Sequence, residues 1–367
     1  MFARSPIRFS IAGIRRTTPL ILGATAALFM APALAAEVSS GNNAVSLTLS
    51  GQVNRALLWA DDGNNSRVLH VDNDNSSTRF RLVGEGTLNQ DVSVGAQIEA
   101  QFESNSSSDI TIDGTSGSPD NFTKRKLELY FDHQRFGKLW LGHGDTASNG
   151  VTEVDLSGTA VVTYSSVADM AGGIEFGGLG GIPISSVYSN MDGLSRDDRI
   201  RYDTPSFSGF TFSASNADSA KYDIAGRFSG SLDSGMKIAA AAGYAVDKND
   251  STIDSQISGS VSVLLASGFN LTGALGVQNL EGGGRDPEFL YFKLGYIRGA
   301  NAFSVDVAQA NEIAAAGVDF STVGVAYVRD FANAGTEIYV GARIHSLDAP
   351  GNPDDIFAVL AGARVKF

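Results

Sequence analysis

From Val92 to Phe102 the chain alternates without a break. Val92, Val94, Ala96, Ile98, Ala100 and Phe102 are apolar, while Ser93, Gly95, Gln97, Glu99 and Gln101 are polar or small. Successive side chains of a strand point to opposite faces, so the segment predicts a strand with one greasy and one wet surface. Phe357, Val359, Ala361, Ala363, Val365 and Phe367 repeat the pattern at the C-terminus, with Arg364 and Lys366 on the opposite face. Ile338, Val340, Ala342 and Ile344 do the same against Glu337, Tyr339, Gly341, Arg343 and His345. About sixteen such segments follow one another: 45–60, 78–88, 92–104, 123–132, 138–143, 196–204, 209–218, 221–231, 235–247, 253–266, 268–280, 288–298, 301–310, 319–330, 336–346 and 355–367. Many reach the roughly 9–11 residues of a membrane-spanning strand, whereas globular strands average about five or six.

Short turns at Asn89-Gln90-Asp91, Ser231-Leu232-Asp233-Ser234, Ala266-Ser267-Gly268, Gly299-Ala300 and Phe331-Ala332-Asn333 alternate with mostly longer polar loops near 61–77, 105–122, 144–195, 248–252, 281–287, 311–318 and 347–354. That order predicts an all-β, transmembrane antiparallel β-barrel of about 16 strands, with short turns on one rim and longer loops on the other. Trp59, Phe80, Phe102, Phe131, Tyr202, Phe207, Phe210, Phe331 and Phe367 sit near strand ends, as interfacial girdles require. A soluble sandwich would more often bury its aromatics mid-strand. After Ala36 no apolar run is long enough for a spanning helix.

Residues 1–36 read as a secretory signal peptide. Arg4, Arg8, Arg15 and Arg16 precede an apolar run from Pro19 to Met30, and Ala33 and Ala35 form an A-x-A cleavage site. The barrel domain is then 37–367. Without the leader, 23 basic residues stand against 40 acidic ones, a net charge of −17. Phosphate binding needs clustered positive charge, so no nucleic-acid partner is expected. The chain has no Cys, which removes disulfides, thiolate metal sites and a cysteine nucleophile.

Four segments resemble signatures of Gram-negative general porins, of the α-proteobacterial type. They are Ser77-Thr78-Arg79-Phe80-Arg81-Leu82-Val83-Gly84-Glu85-Gly86, Arg125-Lys126-Leu127-Glu128-Leu129-Tyr130-Phe131, Phe136-Gly137-Lys138-Leu139-Trp140-Leu141-Gly142-His143, and Ile200-Arg201-Tyr202-Asp203-Thr204-Pro205-Ser206-Phe207-Ser208-Gly209-Phe210; the chain also ends in Phe367. The resemblance implies a sixteen-stranded barrel in the outer membrane of a Gram-negative bacterium, a homotrimer, both termini periplasmic, and a third loop folded into the lumen as a constriction. The longest predicted gap, 144–195, is the third long loop in order. The common eyelet motif P-E-F-G-G-D is absent; Asp145-Thr146-Ala147-Ser148-Asn149-Gly150-Val151-Thr152-Glu153-Val154-Asp155-Leu156 stands in its place. The resemblance also makes Phe367 the mark read by the outer-membrane assembly machinery. Small residues predicted to face outward, such as Ala240 and Ala242, would let barrels approach closely.

Alternation assigns the pore-facing charges. With Phe80 and Leu82 toward lipid, Arg79 and Arg81 face the lumen; with Ile200 and Tyr202 outward, Arg199 and Arg201 face in. Leu127, Leu129 and Phe131 outward leave Lys124, Lys126 and Glu128 inside. A basic side chain in mid-bilayer costs about 2–4 kcal/mol, which favours the inward assignments. Arg125 stays open: the phase points it outward, the porin motif inward. Asp145, Glu153, Asp155 and Asp169 on the third loop would face the wall arginines across the constriction, since rings of charge set ion preference in a water-filled pore. The loop carries acids and no base, so the expected function is passive passage of small hydrophilic solutes and ions with weak cation preference. A sugar- or anion-selective channel, with Tyr130, Trp140 and Tyr339 as inward aromatics, and a structural anchoring barrel are the alternatives.

Other chemistry is sparse. Asp72-Asn73-Asp74-Asn75-Ser76 hints at a structural Ca2+, but lacks the glycine and bidentate glutamate of an EF-hand loop. No cofactor is expected otherwise. No G-x-S-x-G, H-E-x-x-H or G-x-x-x-x-G-K-[ST] motif occurs among the residues, and the four His are scattered, so an enzyme is not expected.

Overall fold

The computed structural model describes residues 36–38, 44–116, 122–285 and 287–367. The expected leader, 1–36, falls outside them apart from Ala36. Sixteen strands build the wall: β1 (Val45–Asp61), β2 (Ser66–Asp72, resuming as Arg79–Thr87), β3 (Val92–Gln101), β4 (Thr123–His133), β5 (Gly137–Asp145), β6 (Arg196–Asp203), β7 (Phe210–Asn216), β8 (Lys221–Ser231), β9 (Lys237–Asp247), β10 (Ile253–Leu264), β11 (Phe269–Leu280), β12 (Glu288–Arg298), β13 (Asn301–Asn311), β14 (Asp319–Phe331), β15 (Thr336–Asp348) and β16 (Ile356–Lys366). Each pairs antiparallel with its sequence neighbour. β16 returns to β1 from Gln52↔Lys366 to Asp61↔Phe357, which closes the sheet. Closure leaves no edge strand, the condition for satisfying every backbone group in lipid. Helix is confined to one turn, Ile184–Val187, and three 3-10 turns among the described residues.

Alternation puts large apolar side chains on the outside. Leu290, Phe292 and Leu294 of β12 and Phe303, Val305 and Val307 of β13 are exposed. Aromatic pairs Phe210–Phe228, Phe269–Tyr296 and Phe303–Tyr327 lie toward the rim of short turns, and Trp59–Phe357 toward the loop rim. At the seam Phe367 exchanges backbone hydrogen bonds with Gly51 (2.7 and 3.0 Å). A Cβ on Gly51 would lie 2.7 Å from the Phe367 ring, so the ring can cover the first strand only because residue 51 is glycine.

Two expectations change. The predicted loop 61–77 contains a strand, Ser66–Asp72. Asp61 and Asp62 accept backbone N–H groups of Gly63, Asn64 and Asn65 and make a tight turn. The chain then continues as the upper half of β2. Leu69 and Val71 there are buried inward while Val68 faces out; with both faces apolar, the period-two signal disappears. The strand then breaks over 73–78 into the lumen, where Asn73 caps a 3-10 turn and Gln52 and Asn54 bind its carbonyls. The second change is a register shift between β3 and β4. Glu99 pairs with Lys126 and Ala100 with Lys124, leaving Arg125 as an extra residue.

The third loop, 146–195, runs inside the barrel. Val162, Met170, Ile174, Phe176, Val187 and Tyr188 pack against Leu58, Phe289, Phe320, Tyr339 and Leu360 of the wall in one apolar cluster. Its start is clamped to β8, where Asp223 accepts the N–H groups of Ala147 and Ser148 (3.2 and 2.7 Å). One half of the lumen is therefore a packed core, and the other half is left polar.

Candidate pore constriction

The polar half carries a ladder of cations. Arg79 and Arg81 of β2 and Arg125 of β4 converge on Glu99 of β3, whose side chain is 1% exposed: Arg81 at 2.5 Å, Arg125 at 2.8 Å and Arg79 at 3.8 Å. One carboxylate thus serves three guanidinium groups. Lys126 and Arg196 share Asp145 at 2.5 and 2.9 Å. Arg199 is buried against Glu128 at 2.5 Å. Arg201 binds Asp203 at 2.8 Å, and Arg227 donates to the Asn149 carbonyl at 2.7 Å. Eight cations (Arg79, Arg81, Arg125, Lys126, Arg196, Arg199, Arg201, Arg227) stand with four acids (Glu99, Glu128, Asp145, Asp203), an excess of four positive charges.

A second group of charges is acidic. Asp74 comes from the break in β2, Glu103 from the loop after β3, and Glu153, Asp169 and Asp192 from the third loop. Burial favours the protonated forms of Glu103, Glu153, Asp169 and Asp192, and like charge adds to it for the first three. Burial, then Asp192 and Asp169, pushes Glu153 well above the usual carboxylate range. Burial and Asp74 push Asp169 up to about 7, although Tyr164 and Ser166 donate hydrogen bonds to it. Asp192 rises to about 6 through burial, against the N–H groups of Gly150 and Thr152 that it accepts. Glu103, buried and hydrogen-bonded to the Asp74 carboxyl, rises to about 8. The two groups sense each other: Arg196 acts on Glu153, and Asp192 on Arg227.

Of the residues singled out from the sequence, Arg79, Arg81, Lys126, Arg199 and Arg201 lie on the inner wall, and Glu153 and Asp169 lie in the acidic group. Three sit elsewhere. Lys124 is turned outward by the extra residue at Arg125 and meets exposed Asp198 at 3.6 Å. The same bulge brings Arg125 inward. Asp145 belongs to the basic wall rather than facing it. Asp155 is buried against Lys293 of β12 at 2.7 Å, away from the polar half. Arg227 was within reach of the sequence, since it shares a face with inward Ala225. Arg196 and Glu103 stand at the ends of the predicted segments 196–204 and 92–104, and Asp74 lies in the predicted loop 61–77, so none was singled out. The acids of the supposed calcium segment have protein partners: Asp72 binds Arg55 and two loop N–H groups, and Asp74 accepts from Ser108. No group of three or more His, Asp or Glu among the described residues is placed to hold a metal.

A family model described as Gram-negative porin matches residues 23–348. No curated protein matches the chain. Several solved structures share the fold. The anion-selective porin from Comamonas acidovorans aligns over 88% of this chain and 100% of its own, with TM-score 0.60 and 17% identity. OmpT of Vibrio cholerae aligns over 90% and 99%, with TM-score 0.58 and 14% identity. The outer membrane channel DcaP of Acinetobacter baumannii aligns over 90% and 100%, with TM-score 0.58 and 12% identity. The family match spans most of the chain, and the closed sixteen-stranded barrel agrees with it: the chain belongs to the Gram-negative porins, channel proteins of the outer membrane rather than enzymes.

Proposed function

We propose that the channel passes small hydrophilic solutes and ions passively, with weak cation preference at alkaline pH, where its raised carboxyls ionise. The carrying observation is that the two charge groups lie within electrostatic reach of each other, Arg196 acting on Glu153 and Asp192 on Arg227. The wall has an excess of four positive charges, and the opposing group holds five carboxyls. Fully ionised, the sum is −1, which supports a weak preference and not a strong one. A transverse field of this kind favours polar solutes over greasy ones. Trp140 and Tyr130 do line the lumen, but the Lys138 ammonium covers both rings, at 4.2 and 3.6 Å from their centroids. That leaves no open aromatic face for a sugar track. Reversal potential across a salt gradient in a planar bilayer tests the sign; a distinct anion preference at pH 9 would overturn it.

The same reading extends to a homotrimer. Arg55 faces outward from β1 between exposed Val53 and Leu57, with Asp72 at 2.5 Å and Ser104 beside it. Charge on a lipid-facing surface is costly, so a neighbouring barrel is a better cover for this face than acyl chains. One solved structure of in-vitro folded Vibrio cholerae OmpT is described as the trimer form. A mild-detergent particle with the mass of one barrel would refute the proposal.

A further inference from the structure

Lys293 stands on β12 with its side chain fully buried, and its ammonium points into the third loop. It donates to Asp155 Oδ2 at 2.7 Å, Ser157 Oγ at 3.3 Å, Thr159 Oγ1 at 3.1 Å and the Thr163 carbonyl at 2.5 Å. An ammonium has three N–H groups, so four acceptors share them and the segment 155–163 wraps around one atom. Asp155 folds back to accept the Ser157 N–H at 2.6 Å. Thr159 bonds onward to Ser304 of β13 at 2.8 Å. The approach is close enough that a Cβ on Gly295 would lie 2.9 Å from the Ser157 Cβ.

The wrapped segment joins two parts of the acidic group. Glu153 precedes it by two residues, and Tyr164, which donates to Asp169, follows it at once. We infer that Lys293 is the positioning residue of the constriction: it never meets solute, but it fixes the loop so that Glu153 and Asp169 face the arginine wall. The inference rests on the channel reading above. Removing one partner of a buried ion pair leaves the other charge uncompensated, and it must then find water or a new partner. Asp155 then either takes up a proton or draws the loop toward the lumen, and in both cases the segment loses the pin that holds it.

The chain has no cysteine, so a covalent substitute for the pin can be installed cleanly. Wild-type protein in a planar bilayer should give one conductance level per barrel. Lys293→Met gives several levels and a cation/anion permeability ratio changed at least twofold, while Lys293→Arg stays near wild type. Adding Ser157→Cys and Gly295→Cys to Lys293→Met restores the single level and the ratio once the disulfide forms, and dithiothreitol abolishes the rescue. A disulfide spans about 3.5–4.5 Å between Cβ atoms, which a small shift of the loop provides. Wild-type behaviour of Lys293→Met, or a formed disulfide that restores nothing, overturns the inference. If Lys293→Met does not fold, Asp155→Asn, which strips the ammonium of its carboxylate, is put through the same recordings and decides. Absence of conductance in the wild type would overturn the channel reading instead.

Discussion

Lowering the pH should carry this pore from weak cation preference to anion preference. The perturbation acts on four carboxyls. Glu103 is held at about 8, Asp169 at about 7, Asp192 at about 6, and Glu153 is also raised, all first by burial. A guanidinium group ordinarily keeps its charge throughout this range. Between pH 9 and pH 5 about three negative charges are lost while the positive excess persists. A unit charge about 8 Å from a passing ion contributes about 0.5 kcal/mol in water, roughly a twofold change in partition. Three protons therefore change the partition of each ion roughly eightfold, down for cations and up for anions, before salt screening, and less at 0.1 M, where the Debye length is about 10 Å. The assay is the reversal potential under a fixed salt gradient, stepped from pH 9 to pH 5. Asp169→Asn with Glu153→Gln should flatten the dependence and hold the channel near its acid value. A permeability ratio that does not move between pH 9 and pH 5 would mean that these acids lie outside the ion path.

The same protons affect stability, in a fixed direction. Carboxyls raised in the folded state bind protons more tightly than in the unfolded chain, so their contribution is complete below about pH 4 and lost as pH rises through about 6 to 8; the folded barrel should withstand heating better at pH 5 than at pH 8.5, and the reverse order would contradict the assignment. Replacing Arg79 and Arg81 together by Ala removes two of the three cations on Glu99; single-channel recording should show larger conductance and a shift toward cations, and an unchanged pore would place both residues outside the constriction. Gly51→Leu puts a side chain where Phe367 lies, and deleting Phe367 removes the partner; each should lower the yield of heat-modifiable folded barrel severalfold, and wild-type yield for both would dismiss the seam as an assembly determinant.

How far the sequence could be read depended on which side of a strand faced a uniform medium. Where the outside is lipid and the inside is water, as along β3 or the lower half of β2, polar and apolar positions alternate and the faces follow directly. Along the upper half of β2 the inside is the third loop, so Leu69 and Val71 are as apolar as Val68, and the strand looked like part of a loop. Lys124 illustrates a different failure. A single extra residue at Arg125 inverts the phase, and nothing in local composition marks it. Glu103 and Asp74 escaped notice because their placement depends on contacts between loops far apart in the chain. Asp155 was chosen for its charge, yet its environment is set by Lys293, nearly 140 residues later.

The division of the lumen into a packed half and a wet half divides tolerance to change lengthwise. On the inner faces of the lower half of β2 and of β3 to β6, partly exposed side chains such as Arg81 meet water and mobile ions, so permeability there can drift one charge at a time at lower cost to folding, whereas buried pairs such as Arg199–Glu128 change together. On β12 to β15 the inner face is an interior in which loop and wall fit together like two pieces of one domain, and a change must be answered by its partner. Porins adapting to new solutes should therefore vary along one side of the cylinder, while the other side changes only in matched pairs.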